Sequence, residues 1–141
     1  MKILVIDGQG GGLGKNLVES IRKRLPAVEI IALGTNVIAT SGMLKAGANN
    51  GATGENAICF NCGQLTEQDL IVGPIGIVMA NAMLGELTPA MAQAVASSKA
   101  ERVLVPVNRC RTHVVGGQGL SMEQAIQEAV RTIAQILETN G

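Results

Sequence analysis

The chain has almost no aromatic side chains. Its 141 residues include one phenylalanine and neither tryptophan nor tyrosine, whereas proteins that bind single-stranded nucleic acid stack the bases on several rings. Charge points the same way, because the 11 basic residues are matched by 11 acidic ones, and a phosphate polymer is bound through a basic surplus. We therefore expect no nucleic-acid partner.

Long apolar runs and a disulfide framework are also missing. Only four apolar residues separate Lys2 from Asp7, too few for the core of a signal peptide, and no run approaches the roughly 20 residues of a membrane span. Three cysteines are an odd number for disulfide pairing. We expect a cytoplasmic protein with reduced thiols and no membrane association.

Short aliphatic runs alternate along the chain with segments of helical periodicity. The predicted strands are 2–6, 28–33, 57–60, 70–72, 102–107 and, more briefly, 113–115. The predicted helices are 13–25, 36–46, 76–84, 88–98 and 121–137, with a polar, glycine-rich loop at 47–56. Strands that are continuous apolar runs are typical of a parallel sheet covered by helices on both faces. The sequence predicts one domain, 1–141, with a three-layer, doubly wound Rossmann-like α/β fold and a mainly parallel sheet of five to six strands.

Glycines concentrate in one turn, VIDGQGGGLGKN at 5–16, directly after the first predicted strand. The dinucleotide fingerprint requires glycines at i, i+2 and i+5, but counting from Gly8 the third position is Leu13. A variant with the last glycine one residue later fits Gly8, Gly10 and Gly14. The turn is therefore similar to a dinucleotide-binding turn without matching it.

The same turn also departs from the Walker phosphate-binding loop. Gly14 and Lys15 match that pattern, but Gln9 and Asn16 replace its leading glycine and its magnesium-binding hydroxyl. Glycines still let backbone N–H groups face a ligand at the start of a helix. We expect an anion or a nucleotide here; the alternative is a turn that is glycine-rich only for close packing.

Two further positions bear on the ligand. Asp7 directly follows the first predicted strand, where its carboxylate would repel a phosphate bound to the turn. It would instead hold a metal, a ribose hydroxyl or the turn itself. The second predicted strand is followed by Thr35 and Asn36. These residues can hydrogen-bond a ribose but supply neither the acid that selects NAD nor the arginine that accommodates NADP. The cofactor is expected to be NAD(P) or another nucleotide.

Ligands of doubly wound folds bind at the carboxyl ends of the strands. In this chain those ends are predicted to be the turns at 7–15, 34–36, 61–62, 73–76 and 108–111. The predicted cofactor-binding residues are Asp7, Gly8, Gly10, Gly11, Gly12, Gly14, Lys15, Thr35, Asn36, Gly73, Pro74, Gly76, Asn108 and Arg109.

The cysteines and the histidine form a Cys-x-x-Cys and a Cys-x-x-His pair: Cys59 and Cys62, then Cys110 and His113. This set would suit tetrahedral zinc. However, Cys59 falls in a predicted strand, where residues three apart face opposite sides. We predict no metal; Cys59 is expected to be a buried hydrophobe, with Cys62 and Cys110 near the ligand, and His113 to be structural.

The predicted helix 76–84 is apolar nearly all round, with Asn81 as its one polar residue. Such a helix must be buried on every side. We expect a homodimer interface; a wholly internal helix is the alternative.

Four segments carry a resemblance: IDGQGGGLGK, ALGTNVIATSGMLKAGANNGATGENAI, GPIGIVMANAMLGELTP and VPVNRC. Together they resemble a family of small bacterial proteins, mainly from anaerobic Firmicutes, that is defined as a domain of unknown function. The resemblance covers residues 1–112. It implies a single Rossmann-like domain and brings no catalytic residue with it.

Three functions remain open at this point. The first is a small-molecule protein that binds a nucleotide or a phosphorylated metabolite. The second is a hydrolase or transferase in which Arg109 and Arg111 stabilise charge and Asp7 or Glu55 acts as acid or base. The third is a non-catalytic sensor or assembly subunit. The residues do not decide whether the protein is an enzyme.

Overall fold

Helices and strands alternate along the chain in the computed structural model, which describes residues 1–107, 111–117 and 119–140. The strands are β1 Lys2–Asp7, β2 Glu29–Gly34, β3 Asn50–Thr53, β4 Leu70–Pro74 and β5 Glu101–Val105. The α-helices are α1 Gly12–Arg24, α2 Val37–Ala46, α3 Glu55–Gly63, α4 Pro89–Ser97 and α5 Met122–Asn140, and a 3₁₀ helix spans Ile75–Val78.

The strands form one parallel sheet in the order β3-β2-β1-β4-β5. In β1, Ile3 is paired with Ile30 of β2 on one side and with Leu70 of β4 on the other. The chain builds outward from β1 to β3, then crosses to the other side of β1 for β4 and β5. This is the predicted doubly wound fold with five strands, and its direction reverses between β1 and β4.

Both faces of the sheet are buried, which explains why the strands are continuous apolar runs. Successive side chains of a strand point to opposite faces. Ile3 and Val5 of β1 accordingly pack with α1, α2 and α5, while Leu4 and Ile6 pack with α3, α4 and the 3₁₀ helix. The hydrophobic effect on each face therefore holds three helical segments against the sheet.

Three helix starts show the local side-chain caps that stabilise a helix N-terminus. Asn36 accepts from the Ala39 amide at 2.9 Å before α2, and Thr88 caps α4 directly ahead of its initial proline. Ser121 and Gln124 form a capping box at α5, with bonds of 2.8 and 3.1 Å. The predicted starts of these helices are confirmed.

The region 47–63 differs from the prediction in two ways. The predicted loop contains the edge strand β3, in which Ala52 is paired with Leu33 of β2. The predicted strand 57–60 is instead part of α3, which buries Ile58 and Cys62, one helical turn apart. Pairing with β2 overrides the low strand propensity of the polar segment, and a short apolar run does not by its pattern distinguish a strand from a helix.

The predicted α-helix at 76–84 is also wrong. After the 3₁₀ helix the chain runs through turns, in which Asn81, Met83 and Leu84 have φ values of 66°, 61° and 57°. Leu84 is 99% exposed, so the segment is not an apolar helix buried on every side. The homodimer stays a prediction without its original basis.

Two smaller expectations fail near the C-terminal end of the chain. Residues 113–115 form no strand in the described range 111–117. The apolar periodicity of 121–137 predicts a buried face that includes Met122, but this residue is 44% exposed at the first position of α5. Among the helices of the described ranges, none has the length and apolarity required to cross a membrane.

Candidate functional site

A cavity of about 930 Å³ opens at the carboxyl ends of β1 and β4, where the direction of the sheet reverses. Ligands of doubly wound folds bind at this position. The glycine-rich turn forms one wall of the cavity. The apolar side chains of the other walls are Pro74, Ile75, Met79, Ala82, Met83, Leu84, Pro106, Val107, Leu120 and Met122.

The conformation of the turn is held by Asp7, which is 6% exposed. Its Oδ1 accepts from the Gly8 amide at 2.8 Å, and its Oδ2 accepts from the Gly14 amide at 2.7 Å. The Gly14 amide belongs to the first turn of α1, where a carboxylate satisfies an unpaired N–H and complements the helix dipole. Of the roles considered for Asp7, the structure shows that it holds the turn.

Three amides of the turn remain available to a ligand. The Gly8 carbonyl accepts from the Gly11 amide at 2.9 Å, but the N–H groups of Gly10, Gly12 and Leu13 have no acceptor among the residues that the structure describes. All three line the cavity. Gly12 and Leu13 are the first two residues of α1, so their N–H groups lie at the positive end of the helix dipole.

Three glycines of the turn are closely packed, and a Cβ on the first of them, Gly8, would lie 2.6 Å from the Sδ of Met83. Gly11 has a φ of 73°, and a Cβ there would lie 2.6 Å from the Cα of Ala39. A Cβ on Gly14 would lie 2.8 Å from the Sδ of Met43. The alternative of a turn that is glycine-rich for close packing therefore applies to these three positions.

Gly10 and Gly12 have no such packing requirement. A Cβ at either position would meet no atom of the described residues within 4 Å, and both residues are exposed on the cavity wall. The two kinds of glycine alternate along the turn, so substitutions can separate ligand access from folding.

Beside the cavity, Glu86 joins the first two turns. Its Oε1 accepts from the Thr35 hydroxyl at 2.6 Å, the Gln9 amide at 2.8 Å and the Asn36 side-chain amide at 2.9 Å. These bonds, led by that of Thr35, lower the pKa of the Glu86 carboxyl. Thr35 and Asn36 are therefore bonded to the protein's own carboxylate.

Glu86 was missed among the predicted site residues, although the sequence carries one signal for it. It is the only charged residue between Leu70 and Ser98. A lone carboxylate in an otherwise uncharged segment requires hydrogen-bond partners if it is even partly buried. That signal does not say which turn supplies the partners, because they lie 50 to 77 residues away in the chain.

The remaining predicted site residues divide into three groups. Pro74 and Gly76 line the cavity. Lys15 is exposed on α1 and Gly73 is buried within β4, and neither is part of the lining. Asn108 and Arg109 lie outside the described residues.

The two described cysteines lie one helical turn apart on α3, so the predicted turn at 61–62 is helix. Burial, with a smaller contribution from Cys59, raises the pKa of the Cys62 thiol to about 11. Burial, followed by the charge of Glu55, raises the pKa of Cys59. In the described ranges no three His, Cys, Asp or Glu side chains form a metal-binding group; Cys110 lies outside those ranges, and His113 is exposed.

Glu55, considered above as an acid or base, lies away from the cavity. It is the first residue of α3 and accepts from the Thr88 hydroxyl at 2.6 Å. It therefore links the starts of α3 and α4 and is not part of the cavity lining.

The sheet order and the cavity define a Rossmann-like α/β protein with a pocket at the topological switch point. The chain belongs to the family DUF3842, a domain of unknown function, whose model matches residues 2–138. This match confirms the resemblance drawn from the four sequence segments.

A solved structure shares the fold. It is described as a dodecameric FMN-dependent Ubix-like decarboxylase from Escherichia coli O157:H7, with a TM-score of 0.53 and 16% sequence identity over 99% of this chain and 94% of that one. At this identity the likeness shows the fold alone. No curated protein matches the chain.

Proposed function

We propose that this protein binds a small molecule, a nucleotide or another phosphorylated metabolite, in the cavity between β1 and β4. The observation that carries the proposal is the pairing of apolar walls with three amides, those of Gly10, Gly12 and Leu13, that have no acceptor among the described residues. Small-molecule sites combine a largely apolar lining with a few well-placed polar groups. The cavity volume of about 930 Å³ also lies in the range of such sites.

The two walls suit two parts of one ligand. Ile75, Met79 and Met83 offer an apolar surface to a ring or acyl group, and methionine sulfur makes favourable contacts with aromatic rings. The free amides at the start of α1 suit an anionic oxygen. Because Asp7 already takes the Gly8 and Gly14 amides, the anionic group would lie on the outer part of the turn.

The lining favours binding, or chemistry supplied by a bound cofactor, over catalysis by the protein's own side chains. Among the described residues the lining contains no histidine, cysteine or lysine, which are frequent acids, bases or nucleophiles. Its carboxylate, Asp7, already accepts from the Gly8 and Gly14 amides. The neighbour of the same fold is FMN-dependent. FMN therefore leads the list of ligands to test, and the hydrolase alternative receives less support.

The experiment has two steps. Denatured, freshly purified protein is searched for released ligand by mass spectrometry, and absorbance near 260 nm is informative because the chain has no tryptophan or tyrosine. Thermal melting is then measured with FMN, NAD, NADP, ATP, ADP and sugar phosphates. A ligand of the native state raises Tm progressively with concentration; if none of these does so and no ligand is released, the proposal is wrong.

The site is tested by Gly10→Leu, with Gly63→Leu as the matched control. A Cβ added at either glycine would have no atom of the described part of the chain within 4 Å, and of the two glycines Gly10 lines the cavity and Gly63 does not. Both variants should melt within about 2 °C of the wild type without ligand, since surface substitutions of this kind change stability little. Gly10→Leu should lose the ligand-induced shift and Gly63→Leu should keep it. Full ligand binding by Gly10→Leu would place the site elsewhere.

A further inference from the structure

The carboxyl end of β2 has an unusual arrangement for this fold. In dinucleotide-binding proteins an acidic side chain near the end of this strand accepts hydrogen bonds from the ribose. Here the strand is followed by two donors, Thr35 and Asn36, and both donate to Oε1 of Glu86. The carboxylate of Glu86, from a distant segment of the chain, thus lies where a dinucleotide-binding protein has its ribose-binding acid.

That segment, residues 79–88, covers the first half of the glycine-rich turn. Glu86 Oε1 accepts from the Gln9 amide at 2.8 Å. A Cβ on Gly8 would lie 2.6 Å from the Sδ of Met83 and 3.2 Å from Glu86 Oε1. The surface of Gly8 towards β2 is therefore filled by the protein itself.

The backbone of the segment is held in an uncommon conformation. Asn81, Met83 and Leu84 all have φ values in the left-handed region, which few non-glycine residues adopt. Such conformations persist where surrounding contacts enforce them. The three hydrogen bonds of Glu86 are contacts of this kind, because they tie the end of the segment to the turns after β1 and β2.

We propose that Glu86 is an internal occupant of the ribose subsite, so that the cavity takes a ligand of single-nucleotide size and the protein excludes dinucleotides such as NAD(P) and FAD. This inference rests on the proposed function and names the size class of its ligand. The space between β1 and β4 remains open, whereas the space over β2 is filled.

Competition explains the exclusion. A dinucleotide that reached the end of β2 would have to displace a carboxylate that accepts three hydrogen bonds. A ribose hydroxyl is a neutral acceptor, and charge-assisted bonds are roughly twice as strong as neutral ones. The pyrophosphate would also approach the carboxylate of Glu86, and like charges repel.

One alternative makes the opposite prediction. Only Oε1 of Glu86 is engaged by the described residues, so Oε2 could itself accept from a ribose hydroxyl. Glu86 would then favour a dinucleotide, and its removal would weaken binding. An occupant, in contrast, improves dinucleotide binding when it is removed.

The experiment compares two matched ligand pairs by calorimetric titration: FMN with FAD, and nicotinamide mononucleotide with NAD. The proteins are the wild type, Glu86→Gln, Glu86→Ala and the control Glu67→Ala, whose exposed carboxylate lies outside the cavity. The wild type and the control should bind the mononucleotide at least tenfold more tightly than its dinucleotide. Glu86→Ala should reduce that preference about tenfold, with Glu86→Gln between the two. A wild type that prefers FAD or NAD, or a Glu86→Ala variant with an unchanged preference or weaker dinucleotide binding, overturns the inference.

A ligand-free measurement separates this inference from the proposed function. Hydrogen exchange of the Gln9 amide should be at least tenfold slower in the wild type and in Glu67→Ala than in Glu86→Ala, because the bond to Glu86 protects that amide. Equal exchange in all three proteins shows that the subsite is not occupied, and the inference then falls whatever ligand binds. A protected Gln9 amide in a protein that binds neither a nucleotide nor another phosphorylated metabolite in any variant overturns the proposed function, and the ligand size class with it. The occupancy by Glu86 then stands.

Discussion

Replacing Glu86 by glutamine tests the linkage between the first two turns without changing the shape of the side chain. Glutamine keeps an acceptor oxygen for Thr35, Asn36 and Gln9 but loses the negative charge. A neutral hydrogen bond contributes about 1 kcal/mol and one to a charged group about 2 kcal/mol. Three bonds to one oxygen therefore set an upper bound of about 3 kcal/mol on the loss.

The expected loss is smaller than that bound. Glu86 is only partly buried, so water screens its charge, and bonds that share one acceptor are not additive. We expect the free energy of unfolding to fall by about 1–2 kcal/mol at pH 7. For a chain of this size that corresponds to a decrease in Tm of about 3–8 °C.

The effect should depend on pH in a definite direction. The hydrogen bonds lower the pKa of Glu86 in the folded protein, while in the unfolded chain the carboxyl titrates near its ordinary value of about 4.3. The unfolded state therefore binds the proton more readily, and the contribution of the ionised group is complete above that value. It decreases as the pH falls through the unfolded and then the folded pKa, so the difference between wild type and variant should shrink from pH 5 to pH 3.

The assay is urea unfolding followed by circular dichroism at 222 nm at pH 7, 5 and 3, because the chain has no tryptophan or tyrosine for fluorescence. Comparison with the variant at each pH isolates Glu86 from Asp69, whose pKa is also lowered and which both proteins retain. Glu67→Gln serves as a control for loss of a surface charge. A difference below about 0.5 kcal/mol at pH 7, the range of an ordinary surface substitution, or one that does not shrink at pH 3, would refute the reasoning.

Two further predictions concern packing and thiol reactivity. Gly14→Ala places a Cβ 2.7 Å from the Cβ of Asp7 and should lower the free energy of unfolding by about 1–3 kcal/mol. Gly12→Ala, whose Cβ meets no described atom within 4 Å, should lower it by less than about 0.5 kcal/mol. Equal losses in urea unfolding would contradict the packing difference. Cys59 should be alkylated by iodoacetamide faster than Cys62 at pH 8, because Cys62 is buried and its pKa is raised to about 11. Peptide mass spectrometry measures both rates. Faster labelling of Cys62 would contradict the prediction and show that its helix opens readily.

Much of the fold was predictable because its signals are local. A strand buried on both faces must be apolar throughout, and the run from Ile3 to Ile6 meets that requirement. Caps are formed by neighbouring residues, so Thr88 and Ser121 marked helix starts by themselves. The alternation of such strands with helices was sufficient to predict a doubly wound parallel sheet.

Pairing between distant segments was not predictable in the same way. The segment Asn50–Thr53 is a strand because β2 offers it a free edge, not because its own residues favour extended backbone. The apolar run at 57–60 had no local feature that excluded a strand, yet it is part of α3. In both cases partners elsewhere in the chain determine the conformation.

The features of the candidate site were likewise predictable where they are local in the sequence and not where they depend on distant segments. The residue order alone identified the glycine-rich turn, the position of Asp7 and the strand ends at which a ligand would bind, because glycine content and strand exits can be recognised along the chain. It did not show that the carboxylate of Asp7 accepts a hydrogen bond from the start of α1, or that Glu86 lies over the end of β2. Nor did it distinguish the packed Gly11 and Gly14 from Gly10 and Gly12, whose surroundings in the described chain are open. These features depend on the packing of segments that are far apart in the chain, because a hydrogen bond needs its donor and acceptor within about 3 Å however many residues separate them.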